Sequence, residues 1–587
     1  MIYYYRSLAH QDEIRLLNLF PAHEFDAPVR VRIEHHTRAR HEHPSFQHKK
    51  SHTDIPAYAA ISYAWGTNSA RGQLTEVSDG VEKTLSIPSN VERMLRYLRG
   101  GRPSQRLWID AICINQDDLS EKGHQVQQMG SIYAEATQVL IWIEPWRSPE
   151  VHEVIFDIME GTRALDDVDY FGMRYQRSDL PYGGNGAIQG QEVLSFIRSR
   201  WFYRRWVIQE VAHASDPMLV SGRRSFDFST FMAKLRDLCA TNQKHIVLTA
   251  SDKDILFRSD AMTRILDPDA RPRRTYRMID LLIEFHATQC SDDYDRLYAL
   301  NSLAADPMQV DYSQSIYHMY KEFAIRELKR DPAALLGCAG SLQSNAAEWP
   351  SWVPDWRSSL MYTPISQYSD AGHMGMADVC LEDHSLFVPA FYVGTVQLKL
   401  NLDNRDWFMR PGLAFGEPMA LIKSWHSEYM CRAPSGTPNT RSQTSSIFSD
   451  ALSAGENPLT EDELLGDGLP PHSDAPQEIV SRMLGRTGFF TDAGDFGIGP
   501  RGVRQGDVLI RFLGSRTLIV LRPREYIGFP VTVGDGAAID PGPGPDPSRT
   551  ASGHARVMTV VGDCYVPRVV QNGRFPHESE LYVFRIE

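Results

Sequence analysis

Asp110 is the only charge in the apolar run Leu107-Trp108-Ile109-Asp110-Ala111-Ile112-Cys113-Ile114, and the polar cluster Asn115-Gln116-Asp117-Asp118 closes it. Carboxylates and amides at such a boundary suit one task, the holding of hydroxyls or charges of a ligand seated past the end of a buried strand. Ser62, Tyr63, Trp65 and Gly66 end a second apolar run, Tyr58–Gly66, and offer a hydroxyl, a phenol and an indole face on which a flat group could stack. Trp201–Val211, which contains Trp206 and Glu210, has helical spacing. Each set also has a purely structural reading. Glu210 can pair with Arg204 or Arg205, Asp110 can be satisfied by Arg106 or a backbone amide, and Asn115–Asp118 can form a turn that caps a helix. Trp65, Trp108, Trp142 and Trp206 can simply be core.

The elements that must position these groups follow from periodicity. Leu107–Ile114 reads as a strand covered on both faces. Tyr58–Gly66 and Gln138–Ile143 read the same way, and Met218–Val220 gives a fourth, shorter strand. Val91, Met94, Leu95 and Leu98 form one stripe and predict a helix over 89–99, stopped by Gly100-Gly101. Val126, Met129, Ile132, Tyr133 and Ala136 predict another over 120–136, with Ser120-Glu121 at its start. The order strand, helix, strand, helix, strand predicts parallel strands joined by right-handed crossovers. Val29–Ile33 alternates as a strand does, and residues 147–200 interrupt the pattern as an insertion. Residues 225 to 335 are largely helical in pattern. Strands are expected near 385–400, 507–513, 517–522, 557–561 and 581–586, with mobile loops at 433–478 and 535–553.

Composition narrows the function classes. The chain has 587 residues, enough for two or more domains, and a net charge of -13, which argues against a general nucleic-acid partner. No apolar run approaches the length of a bilayer span, and the first residues lack a signal-peptide core, so a cytoplasmic location is expected. The seven cysteines are scattered without a Cys-x-x-Cys pair, which disfavours structural zinc. The six histidines between His35 and His52 lack ligand spacing and read as a solvated loop. No nucleophile–base pair and no phosphate loop is present; Gly183-Gly184-Asn185-Gly186 does not follow a strand.

Several blocks, in order, resemble the fungal heterokaryon-incompatibility (HET) domain. They are Tyr58–Gly66; Leu107–Asp118 with Glu121-Lys122, Gln125-Val126, Met129 and Ile132-Tyr133; Val139–Ile143; and Trp201-Phe202 through Glu210-Val211. Asp293–Leu300, Val310–Ser313, Pro350–Trp356, Gly506-Asp507 and Val561–Val566 resemble the region downstream of that domain in such proteins. The resemblance implies an N-terminal extension (1–57), a HET domain (58–225), a helical region (226–345) and a β-rich C-terminal region (346–587). It also implies a signalling role in non-self recognition and programmed cell death, through self-association or a protein partner. The strand–helix order and Trp206–Glu210 further resemble Toll/interleukin-receptor-like (TIR) domains. That second resemblance implies a TIR/flavodoxin-like parallel sheet with flanking helices. It also implies NAD hydrolysis, with Glu210 as the catalytic carboxylate and Ser62, Tyr63, Trp65, Gly66, Asp110, Asn115, Gln116, Asp117 and Trp206 around NAD. No cofactor or metal is required in this reading, because NAD would be the substrate.

Overall fold

The computed structural model describes residues 1–38, 55–66, 70–78, 80–99, 104–145, 149–161, 193–241, 276–344, 349–358, 360–365, 380–382, 385–400, 417–432, 441–455, 458–460, 463–464, 475–512, 515, 517–524, 557–571 and 581–587, with isolated positions between 246 and 262. Residues Met1–Gln314 form one compact unit and Ser315–Glu587 a second.

The first unit is a mixed α/β layer structure. Its elements are β1 (Glu13–Leu19), β2 (Val29–Thr37), β3 (Ala59–Tyr63), β4 (Arg71–Ser78), β5 (Val81–Pro88), α1 (Ser89–Leu98), β6 (Gln105–Trp108), α2 (Leu119–Glu135), β7 (Gln138–Trp142), α3 (Pro149–Glu160), α4 (Val207–Ala212), β8 (Pro217–Ser221), β9 (Arg224–Asp227), α5 (Phe228–Thr241) and α6 (Met278–Glu284). The strands make one nine-stranded sheet in the order β5-β4-β2-β1-β6-β3-β7-β8-β9. Its centre is parallel, with β3 between β6 and β7 and β8 beside β7. The flanks are not wholly parallel: β1 runs antiparallel to β2 and β6, and the β4/β5 and β8/β9 pairs are hairpins. The expected parallel sheet is therefore the middle of a mixed one. Residues expected to precede the domain supply two of its strands; β1 is buried along nearly its whole length, with Ile14, Leu16, Leu17 and Leu19 beside Glu13 and Arg15, which His35 and Glu121 hold.

Two local differences matter for the site. The apolar run at 107–114 is not one strand. It is extended only to Ile109, then winds into a helical turn over Asp110–Cys113. The backbone N–H of Ala111 donates to Asp110 Oδ1 at 2.7 Å, and Cys113 N–H donates to the Ile109 carbonyl at 2.7 Å. A short acid that binds nearby backbone favours a turn over a continuing ladder, whatever the hydropathy of its neighbours. Helix α2 is capped by Asp118, whose carboxylate accepts from the amides of Ser120 and Glu121 at 3.0 and 3.1 Å. The segment 201–211 is likewise split, into a 3-10 turn over Arg200–Tyr203 and then α4.

The second unit holds α7 (Ile316–Leu328), α8 (Pro332–Ser341), β10 (Cys380–Glu382), β11 (Ser385–Lys399), α9 (Glu417–Arg432), α10 (Arg441–Ser453), α11 (Ala475–Arg482), β12 (Arg486–Thr491), β13 (Phe496–Pro500), β14 (Val508–Arg511), β15 (Leu518–Pro523), β16 (Val557–Cys564) and β17 (Leu581–Ile586). Its eight strands form one sheet, mostly antiparallel. Helix α8 lies against β16 so closely that a Cβ on Gly340 would sit 2.3 Å from the Gly562 Cα, and Gly562 itself has φ +143°. Within 433–478, expected as a loop, Arg441–Ser453 is helical. Its Phe448, Ala451 and Leu452 recur at helical spacing and are buried in a cluster with Trp425 and Phe496. The stretch 535–553, the glycines at 183–186 and the histidines from 41 to 52 lie outside the described residues.

The centre of this unit is an ion pair with no solvent contact. Arg486 Nη2 lies 2.7 Å from Asp563 Oδ1, with both side chains 0% exposed. Arg486 also donates to the carbonyls of Thr363 (2.7 Å) and Asp563 (3.1 Å), and the Ile365 amide donates to Asp563 Oδ2. Removing one partner leaves a buried charge with no counterion. Arg486→Met or Asp563→Leu alone should therefore cost roughly 3–5 kcal/mol. The Arg486→Met/Asp563→Leu double variant should regain most of that loss, as read from denaturant unfolding of the full chain. A double variant as unstable as the worse single one would contradict the assignment.

Candidate functional site

Six of the ten residues singled out from the sequence meet in one network at the carboxyl end of β3. Ser62 and Glu210 are 0% and 1% exposed. Ser62 Oγ donates to Glu210 Oε2 at 2.5 Å and accepts from Trp201 Nε1 at 2.8 Å, so its single proton has one direction to go. The other carboxylate oxygen, Glu210 Oε1, lies 3.8 Å from Arg204, which also donates to the Tyr63 carbonyl. Next along, Asp110 gathers three donors. Tyr63 Oη (2.9 Å) and the Ala111 amide reach Oδ1, and Trp65 Nε1 (2.9 Å) reaches Oδ2. Gln116 joins through its side-chain amide, which donates to the Asp110 carbonyl at 3.0 Å.

Chain geometry explains the meeting. Ser62 and Tyr63 are the last two residues of β3 and so point to opposite faces. Ser62 meets α4, and Tyr63 meets the turn that begins at Asp110. Trp65, just past the strand, is 42% exposed and is the most exposed member of the network. Trp201 is the one member whose role no sequence signal singled out. Its position three residues before Arg204, in a 3-10 turn packed on the sheet, is the signal that a local reading misses.

The remaining residues go elsewhere. Trp206 Nε1 donates to Asp295 Oδ2 at 2.8 Å, away from Glu210. The Asn115 amide donates to Glu121 Oε1 at 2.7 Å, and Glu121 holds the fully buried Arg15 through two contacts of 2.6 and 2.9 Å. Asp117 is exposed, and so is Gly66, which sits beside Asn90. Neither joins the network. Among the described residues no group of acids, histidines and cysteines is placed to hold a metal ion. No helix there is long and apolar enough to cross a membrane.

The segment 276–314 locks the helix that carries Glu210. Asp295 accepts from Trp206 and from Tyr312 Oη (2.8 Å), Ser302 donates to Gln209 Oε1 at 2.6 Å, and Arg205 donates to the Phe285 carbonyl at 2.9 Å. The Gln289 amide donates to the Tyr203 carbonyl at 2.6 Å, just before that helix. The folded unit that positions Glu210 thus reaches Gln314, well past the chain expected to form the domain.

Burial sets the acid–base state of the site. It pushes the Glu210 carboxyl up to about 7; Arg204 and Ser62 pull against burial, and Asp110 adds to it. Burial likewise raises Asp295 to about 6, against the hydrogen bonds from Trp206 and Tyr312. The Tyr63 hydroxyl is held well above its usual range by burial and by the facing Asp110.

Residues 58–210 match the heterokaryon incompatibility protein (HET) family. Residues 58–210 thus carry a HET domain. The chain is also similar to "Heterokaryon incompatibility protein 6, OR allele" of Neurospora crassa, with 22% identity over 80% of this chain and 86% of that one. No solved structure matches.

Glu210 binds its proton more tightly folded than unfolded. The stability it contributes is present below its ordinary value of 4.5 and is lost as pH rises through about 7. Between those limits wild type should lose roughly 3 kcal/mol relative to Glu210→Gln. Unfolding midpoints of the two chains measured from pH 4 to 8 check this; parallel curves would contradict it.

Proposed function

We propose that this chain is a heterokaryon-incompatibility-type signalling protein, acting in fungal non-self recognition and programmed cell death through self-association or partner binding. The observation that carries this reading is the HET match over 58–210, joined by the likeness to a Neurospora crassa incompatibility protein over most of both chains. The site adds a physical reason for a resting state. Both Glu210 oxygens face partners from within the chain, and its carboxyl is 1% exposed. Such a group acts on nothing outside until the packing around it changes, and assembly with a second copy or a partner is the kind of event that changes it.

A second reading is favoured by the position of Glu210. In it the unit is a TIR-like NAD hydrolase gated by that assembly. The central strands β6-β3-β7-β8 read 2-1-3-4 in chain order, the arrangement of flavodoxin-like doubly wound sheets, whose ligands lie past the strand ends. Glu210 and Asp110 stand at that edge. In this reading the bond between the ribose C1′ and the nicotinamide nitrogen breaks, and nicotinamide leaves with the bonding electrons. Glu210 as carboxylate offsets the positive charge on the ribose. Water's oxygen then bonds C1′ and its proton passes to solvent, giving ADP-ribose. Trp65 would lie against the base and Ser62 would orient the carboxylate. NAD is consumed and no cofactor is needed.

One experiment separates the two readings. The full chain and its Glu210→Gln variant are overproduced in a filamentous fungus, and growth, NAD and native mass are followed. The signalling reading predicts growth arrest together with a higher-mass species or a captured protein partner. A monomer that captures nothing and leaves growth unchanged would contradict it. Hydrolysis predicts that NAD falls at least tenfold with wild type and holds with the variant. Steady NAD in dying cells, or a variant that kills equally, would remove the enzyme and leave the signalling reading standing.

A further inference from the structure

The second unit contains a cavity of about 720 Å³ that no part of the proposed function uses. Its walls include Pro350, Val353, Met361, Pro500 and Val561, and its rim carries Arg501, Arg522 and Arg524. No carboxylate is among its described lining residues. That volume lies within the range of pockets that enclose a small organic molecule.

Two of the rim guanidiniums, Arg522 and Arg524, keep donors that no described residue takes. Arg522 Nε and Nη2 grip Asp507 at 2.9 and 2.8 Å, and Nη2 also reaches the Gly502 carbonyl at 2.7 Å. Nη1 makes no hydrogen bond among the described residues, so a pre-set fork keeps unused donors. Among the described residues the Arg524 side chain has one partner, a long ion pair of 3.7 Å to Glu587, and Arg585 already holds that carboxylate. The local field is positive. Lys399 donates to the Arg501 carbonyl at 2.5 Å, and burial together with Arg501, Arg504 and Arg522 holds its ammonium below the usual lysine range, against Asp507. Here Lys399 and five arginines, Arg501, Arg504, Arg522, Arg524 and Arg585, face two acids, Asp507 and Glu587. Oriented guanidiniums beside a cavity of this kind match phosphate oxygens, and the apolar walls match a carbon body attached to the phosphate.

We propose that this cavity is a binding site for a phosphate monoester carried on an apolar body, with Arg522 and Arg524 taking the phosphate and Val353, Pro500 and Val561 packing against the body. Such a site gives the second unit a ligand to sense. The ester can be a soluble metabolite or the headgroup of a phosphatidic-acid-type lipid, since both present the same group.

Calorimetric titration of the full chain with inorganic phosphate and with phenyl phosphate tests the proposal. Phenyl phosphate should bind at least tenfold more tightly than inorganic phosphate. Arg524→Glu should weaken it at least tenfold, because Arg524 is 54% exposed in its side chain and can be changed without opening the core. Lys329→Glu, an equal charge change at an exposed residue outside the cavity, should stay within twofold of wild type. A parallel arm measures capture by vesicles with and without phosphatidic acid. Capture that needs phosphatidic acid and is lost in Arg524→Glu assigns the ester to a lipid. Phenyl phosphate binding without capture assigns it to a soluble molecule. The site is overturned if neither probe binds at millimolar concentration, if the two charge variants weaken binding equally, or if inorganic phosphate binds as tightly as phenyl phosphate.

Discussion

The hydrogen bond from Ser62 to Glu210 ties the end of the central strand to the short helix α4, and the first unit is arranged around keeping it dry. A carboxylate taken from water is costly unless donors or a counterion replace the lost hydration. Here the replacement is incomplete. One hydroxyl is close, and the Arg204 guanidinium stands at 3.8 Å. That shortfall is why burial dominates and the group sits near neutrality rather than in the ordinary carboxylate range. Asp110, nearby, is treated differently, with three donors on its two oxygens. Two acids thus stand at one strand edge: Asp110 anchors Tyr63 and Trp65 through hydrogen bonds, and Glu210 is buried with incomplete compensation.

The same helix is held from its other side. Trp206, four residues before Glu210, is pinned by Asp295, and Gln209 by Ser302. Helix α2 can approach that segment because Gly130 has no Cβ; one added there would lie 2.4 Å from the Ser302 Cβ. The consequence is physical. Whatever displaces the segment 276–314 also frees α4, and with it the packing that keeps Glu210 from solvent. Chain outside the matched residues 58–210 thus takes part in keeping Glu210 from solvent.

The sequence made the buried centre legible because apolar strands and striped helices leave strong periodic traces. β3, β7, β8, α1 and α2 fall within a few residues of where hydropathy put them. The flanks were harder. The β4/β5 hairpin is half exposed and mostly polar, so its strands carry no apolar trace, although Asp79-Gly80 is a standard two-residue turn signal and Gly80 has φ +76°. β12 and β13 escaped notice because Gly488, Gly497 and Gly499 break their apolar residues into pieces too short to read as strands, although Asp492-Ala493-Gly494-Asp495 between them is a turn signal and Gly494 has φ +79°. At the site, residue types at strand ends pointed to Ser62, Tyr63, Trp65 and Asp110, and the TIR resemblance pointed to Glu210. They could not separate Gln116, which joins that network, from Asn115, whose backbone N–H donates to Glu121, nor show that Trp206 turns toward Asp295. Those outcomes depend on which way one helical turn faces, and tertiary contacts far along the chain decide it.

The protonation state of Glu210 tests this view most directly. Infrared difference spectra of wild type against Glu210→Gln, taken across pH, report the carbonyl stretch of a protonated carboxylic acid. A band present in wild type at pH 5, absent from the variant and lost with a midpoint near pH 7 is the expected result. No difference band at pH 5 and above would mean that Glu210 is an ordinary ionised carboxylate, and would contradict a site built around a dry, half-compensated acid.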